Sequence, residues 1–271
     1  MPKIYFRLMK YFIILLTVWP VFVSAQDSLP IRDNSFLVEE AFNQEKGVIQ
    51  HICLLRMNDE FEPQLFSFTQ EWPLFSEKHQ LSYTLPVSGF NSHSDNPVLE
   101  NILLNYRYQL VGNEKIFLSP RITAILPGQK RDFHRYSSGV EFNLPLSVPL
   151  GKFWIAHVNA GANYITEEIL KAGLKTYNRT FTSGLSVIYQ PAFNFNLLSE
   201  FIYSLESSRF NFNDYNTTSF TWNPGLRAAA NFKSGLQIVP GFSVPVEISE
   251  GSCEAGFLFY LSFEHLIKKS K

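Results

Sequence analysis

Five charged side chains stand almost alone among small and amide residues: Arg107, Arg121, Glu141, Glu200 and Arg227. Each lies on the polar side of a stretch in which every second residue is apolar. A guanidinium offers a rigid fork of donors that matches a carboxylate, and a charge held away from water must be paired or solvated. The short turn from Val111 to Glu114 puts Arg107 about opposite Ser119 to Arg121, and Glu141 falls on the next stretch. Arg121 therefore bridges like-charged Arg107 and acidic Glu141. The set is either a charge ladder lining a pore or an ion network filling a narrow interior. A second acidic group, Glu39, Glu40 and Glu45, sits near the N-terminus among Phe36, Leu37, Ala41 and Phe42, and would meet those arginines if the segment entered the same space.

Other chemistries find little support. A membrane-embedded hydrolase would need Ser, His and Asn together on an outer wall. His157 instead faces the polar side, His79 faces out with no Ser partner, and no GxSxG occurs. A lipid-active hydrolase is therefore the third reading. His93, His134 and His265 are scattered singly, without ligand spacing, so neither metal nor cofactor is expected. Cys53 and Cys253 fall in the first stretch and just before the last. They become neighbours if a barrel closes, so a disulfide and two free thiols both stay open. With 23 basic and 24 acidic residues the net charge is −1, which argues against nucleic acid as a partner. Lys130, Arg131, His134 and Arg135 form a small loop cluster, facing either anionic head groups or water.

The elements that position these residues are strands. Twelve alternating stretches can be read: 48–57, 64–73, 78–87, 101–110, 115–127, 138–148, 153–164, 180–190, 193–206, 218–232, 235–247 and 255–264. From Gly139 to Val148, Val140, Phe142, Leu144, Leu146 and Val148 share one face, and Glu141, Asn143 and Ser147 the other. Even-to-odd connections are short, as at 111–114 and 149–152. Most odd-to-even ones are longer and polar: 88–100, 128–137, 165–179 and 207–217. That asymmetry, with an even count, predicts an all-β, transmembrane, antiparallel up-and-down β-barrel of about 12 strands, with short periplasmic turns and longer extracellular loops. A soluble barrel with an oily interior would alternate too. The polar face, however, is Asn, Ser, Thr, Gly and Gln with almost no Lys, which suits a confined lumen better than open water. Trp72, Tyr83, Trp154, Tyr164, Tyr189, Tyr203 and Trp222 on the oily face fit interfacial girdles. Pro120, Pro224 and Pro240 lie inside stretches where a missing N–H breaks a ladder.

Lys3, Arg7 and Lys10, the apolar run Tyr11 to Val23 and the small residues Val23-Ser24-Ala25 read as a signal peptide over residues 1–25, cleaved before Gln26. Residues 26–47 form a periplasmic lead-in or plug segment, and 48–271 the barrel. Within the lead-in, Ser35 to Glu45 is expected as a short amphipathic helix capped by Asn34 or Ser35. It either plugs the lumen or packs beneath the barrel.

Gly256 to Phe263 (Gly-Phe-Leu-Phe-Tyr-Leu-Ser-Phe) resembles the C-terminal signal read by the outer-membrane barrel assembly machinery, followed here by a tail, Glu264 to Lys271. Asp33 to Ile52 (DNSFLVEEAFNQEKGVIQHI), Leu104 to Leu110 (LNYRYQL), QEWPLF (70–75) and FNLPLSV (142–148) resemble the outer-membrane family named for the meta-pathway of phenol degradation. Leu99-Glu100-Asn101 departs from the Gly-rich GxGD lead expected there. The resemblance implies a transporter or channel in the outer membrane of a Gram-negative type cell, among outer-membrane lipids, for small-molecule solutes of apolar or aromatic kind. A closed structural or ligand-binding barrel is the alternative.

Overall fold

In the computed structural model, the described residues are 31, 35–90, 97–129, 135–169, 174–210 and 213–267. The expected signal peptide, His93, Lys130, Arg131 and His134 lie outside them. The chain builds a closed, antiparallel, 12-stranded β-barrel. Its strands are β1 (Val48–Asn58), β2 (Pro63–Leu74), β3 (Ser76–Ser88), β4 (pieces Val98–Leu99, Ile102–Tyr108 and Val111–Gly112) and β5 (pieces Phe117–Leu118 and Arg121–Leu126). They continue with β6 (Arg135–Pro149), β7 (Trp154–Ile169), β8 (Leu174–Ala192), β9 (Phe195–Phe210), β10 (Asn213–Ala228 with Ala230–Asn231), β11 (Gln237–Ser243 with Val246–Ser249) and β12 (Ser252–Leu266). Each strand pairs with its chain neighbours. The wall closes between β1 and β12 from Val48↔Leu266 to Asn58↔Gly256, leaving no free sheet edge.

Burial is inverted relative to a water-soluble fold. Phe181 is 58% exposed and Ile122 56%, with Val140, Phe142, Tyr203 and Trp222 beside them, while Asn105, Thr123, Asn159, Asn223 and Arg227 are buried. Successive strand residues alternate sides, so the exposed oily residues form the outer wall, and the lumen is lined by polar residues together with one apolar cluster of Ile52, Ile188, Leu198, Val239, Leu258 and Tyr260 around Ile31 and Phe36. An apolar outer band around a polar interior is the signature of a barrel that crosses a membrane.

Two expectations need correction. The strands run further than their alternation. β7 and β8 pair out to Ile169↔Leu174, and β9 and β10 to Phe210↔Asn213, so most of 165–179 and 207–217 is paired strand. These arms are rich in polar residues such as Thr166, Glu167, Glu168, Thr176, Asn178, Ser207 and Asn216, so composition alone makes them look like loops. Second, closure does not bring the cysteines together. Cys53 lies opposite Leu261, Cys253 lies opposite Ile248, and both are free.

The prolines sit where the ladder is interrupted. Pro120 falls in the gap between the pieces of β5, and its carbonyl accepts from Tyr108 N–H at 3.0 Å. Pro224 faces the break in β11 at Val244 and Pro245, where Val244 N–H donates back to the Pro224 carbonyl at 3.0 Å. Pro240 pairs with Leu261 of β12, while β10 is interrupted at Ala229. An imide without N–H costs least where the neighbouring strand is already broken.

Candidate functional site

Strand alternation turns Arg107, Arg121, Glu141, Glu200 and Arg227 into the lumen. β4 and β5 pair with Arg107 directly opposite Arg121, an arrangement in which like charges repel. The missing counter-ion comes from the lead-in. The Glu39 carboxylate sits between the two guanidiniums, Oε1 at 3.1 Å from Arg107 Nη1 and Oε2 at 3.0 Å from Arg121 Nε. Asn143 Nδ2 donates to Oε2 at 2.7 Å. Arg121 also pairs with Glu141 through Nη2, and its Nη1 donates to Asn105 Oδ1 at 3.1 Å. The bridge expected between Arg121 and Glu141 thus forms, and Glu39 relieves the repulsion between the arginines.

Glu40 takes the third arginine. Its Oε1 accepts from Arg227 Nη2 at 3.1 Å, with both groups almost fully buried. Glu200 holds backbone: its Oε1 accepts from Leu37 N–H at 2.9 Å and Val38 N–H at 2.8 Å, and its Oε2 accepts from Asn223 Nδ2 at 2.6 Å. Glu45 stays exposed near the short-turn rim, where Val48 N–H donates to its carbonyl at 3.1 Å.

The helix expected over Ser35–Glu45 does not form. The segment is a run of bends and irregular backbone, because barrel side chains satisfy its amides in place of helical carbonyls. Glu39 N–H donates to Asn159 Oδ1 at 2.8 Å while Asn159 Nδ2 returns a bond to the Glu39 carbonyl at 2.7 Å. Ala41 N–H donates to Ser147 Oγ at 2.8 Å, Ser119 Oγ donates to the Ala41 carbonyl at 2.7 Å, and Gln44 N–H donates to Gln80 Oε1 at 2.8 Å. A polar lumen thus serves as the hydrogen-bond partner that a buried backbone requires.

Apolar seats fix the segment's depth. The Phe36 ring lies 5.3 Å from Tyr260, centroid to centroid. A Cβ added at Gly225 or at Gly241 would come within 2.6 Å of that ring. At Gly184 a Cβ would meet Val38 at 3.1 Å. Phe42 packs edge-on against Phe117 at 4.7 Å nearer the short-turn rim. A glycine inside a strand often marks the close approach of another chain segment, and these three were the sequence signal for the seat that alternation alone does not reveal.

Two cavities flank the segment. One of about 230 Å³ is lined by Glu39, Arg107 and Arg121 with Ser67, Thr69 and Glu71. The other, of about 190 Å³, is lined by Arg121, Glu141, Asn143 and Asn163. His157 Nδ1 lies 2.7 Å from Ser147 Oγ, the kind of pairing that activates a nucleophile elsewhere. Both side chains are completely buried, and the hydroxyl already accepts the Ala41 amide, so the pair anchors the lead-in. Among the described residues no group of three or more His, Cys, Asp or Glu forms a metal cluster.

No family model matches this sequence, and no curated protein is similar to it in sequence. Among solved structures, the chain is similar in fold to an outer-membrane channel from Pseudomonas putida F1, with a TM-score of 0.62 and 9% identity over 83% of this chain and 97% of that one. Weaker likenesses are to the β-domain of the Bordetella autotransporter BrkA (TM-score 0.49, 12% identity, covering 82% and 99%) and to the CymD monoaromatic hydrocarbon channel (0.44, 11%, covering 83% and 90%). The likeness in fold rests on the first.

Proposed function

We propose that this protein is an outer-membrane channel for small molecules whose own lead-in, residues 35–45, closes the lumen and must leave it for solute to pass. The observation that carries this reading is the ion set across the lumen, with Glu39 held by Arg107 and Arg121 and Glu40 held by Arg227. A segment bound through side-chain contacts to the wall, and not woven into the sheet, can dissociate without opening the barrel. The fold shared with a channel from Pseudomonas putida F1 supports the same reading.

The proposal includes export by residues 1–25, insertion by the assembly machinery through β12, and an outer wall solvated by outer-membrane lipid. It also includes membership of the family named for the meta-pathway of phenol degradation, on the segments quoted above. That resemblance points to apolar or aromatic solutes, and the cavity walls add that such a solute carries at least one polar group. Glu39, Glu40, Arg107, Arg121 and Arg227 act as the closing contacts, with Glu141 and Glu200 supporting them.

Liposome swelling with purified protein tests the reading. Vesicles carrying the chain lacking residues 35–45 are expected to admit small neutral solutes several-fold faster than vesicles carrying the whole chain. Equal, negligible swelling for both would favour a closed structural barrel.

A further inference from the structure

We propose that the seat of the Glu39 side chain is a binding site for a small monocarboxylate solute, which replaces Glu39 between Arg107 and Arg121 and thereby favours release of the lead-in. This rests on the reading that the lead-in leaves the lumen.

The argument turns on what Arg107 would lose. Its Nε donates to Asn43 Oδ1 at 2.9 Å, and its Nη1 to Glu39 Oε1 at 3.1 Å and the Glu40 carbonyl at 2.9 Å. Its Nη2 donates to the Phe42 carbonyl at 2.6 Å and to Gln80 Oε1 at 2.9 Å. Of these acceptors, Gln80 alone belongs to the wall. Arg121 keeps Glu141 and Asn105 when the lead-in departs, whereas Arg107 keeps only Gln80 and faces another cation across the opened lumen. Two like charges fixed opposite each other repel, and an anion placed between them relieves that repulsion. Departure of the lead-in and arrival of an anion are therefore coupled, and a solute that binds only the open lumen shifts the population toward it.

The surroundings define the anion. The fork formed by Arg107 Nη1 and Arg121 Nε, with Asn143 Nδ2 beside it, already accommodates a carboxylate in two-oxygen contact. The space on either side is small, about 230 Å³ and 190 Å³, with apolar lining such as Ile52 and Leu54 in the first and Ala162 and Ile202 in the second beside the polar groups. Glu71 lines the first cavity and Glu141 the second, so a polyanion would meet repulsion on both sides. A single carboxylate on a short body satisfies the arginines without that conflict.

The test records single channels of the whole chain in planar bilayers at constant ionic strength, with sodium propionate or the isosteric neutral propionamide added. Propionate is expected to raise the open probability several-fold, because it binds one state and not the other, with no response to propionamide. In R107Q, checked for folding by heat-modifiable migration, the propionate response should vanish. Should R107Q not fold, R121Q replaces it, and its propionate response should likewise vanish. Equal responses to the two compounds, or an undiminished response in the folded variant used, would overturn the proposal. The chain lacking residues 35–45 separates the two readings. If it conducts while the whole chain ignores propionate, only the carboxylate site falls. If it conducts no better than the whole chain, the gating reading falls with it.

Discussion

At the scale of single residues, the lumen is held by pairs between residues far apart in sequence. Glu39 is the hinge of the arrangement, because one carboxylate relieves the repulsion between two arginines fixed in register by β4 and β5. Glu39→Gln keeps the shape and removes the charge. It is expected to weaken docking of the lead-in by on the order of 1–3 kcal/mol, the range for losing a charge-assisted contact at a partly screened site. Hydrogen exchange at the Leu37, Val38, Glu39 and Ala41 amides measures this, and all four should speed up together. Gly241→Leu keeps every charged group and crowds the apolar seat, with Arg227 Cβ the next neighbour of the added side chain. Its side chain needs the volume occupied by the Phe36 ring, so the same amides should lose protection while the barrel stays folded. Phe36→Ala in that background should restore part of it.

At the scale of elements, legibility followed physics. Strands with an oily outer row and a polar inner row, such as β3 and β6, were readable to within a few residues because lipid and lumen impose opposite demands on alternate positions. The inward placement of Arg107, Arg121, Glu141, Glu200 and Arg227 follows from the same alternation. The paired arms at Glu167↔Thr176 and Ser207↔Asn216 were not legible, because beyond the bilayer neither face needs to be oily. The lead-in was not legible either. Its helix-like spacing of Phe36, Leu37, Ala41 and Phe42 is overridden by wall acceptors such as Glu200, 163 residues away from Leu37, which no local pattern reports. If the arms are paired strand outside the membrane, replacing residues 167–176 by a tight turn should shift the melting temperature by less than about 3 °C. Thermal unfolding followed by heat-modifiable migration checks this, and a collapse of stability would mean that the arms hold the barrel together.

At the scale of the whole molecule, the fold supplies a closed wall and an interior occupied by a segment of the same chain that takes no part in the sheet. Orientation can be checked through the two free thiols. Cys253 is exposed beside the β11–β12 turn, on the rim opposite the start of β1, whereas Cys53 sits on the outer wall between Phe68 of β2 and Leu261 of β12. A membrane-impermeant maleimide applied to intact cells should label the wild type and fail to label Cys253→Ser. The central claim is that residues 35–45 close a lumen that is otherwise open, and single-channel conductance of the whole chain beside the chain lacking those residues tests it most directly. The whole chain should be silent or open only briefly, and the shortened chain should show stable steps of larger conductance. Identical recordings from two equally well-folded samples would contradict the account.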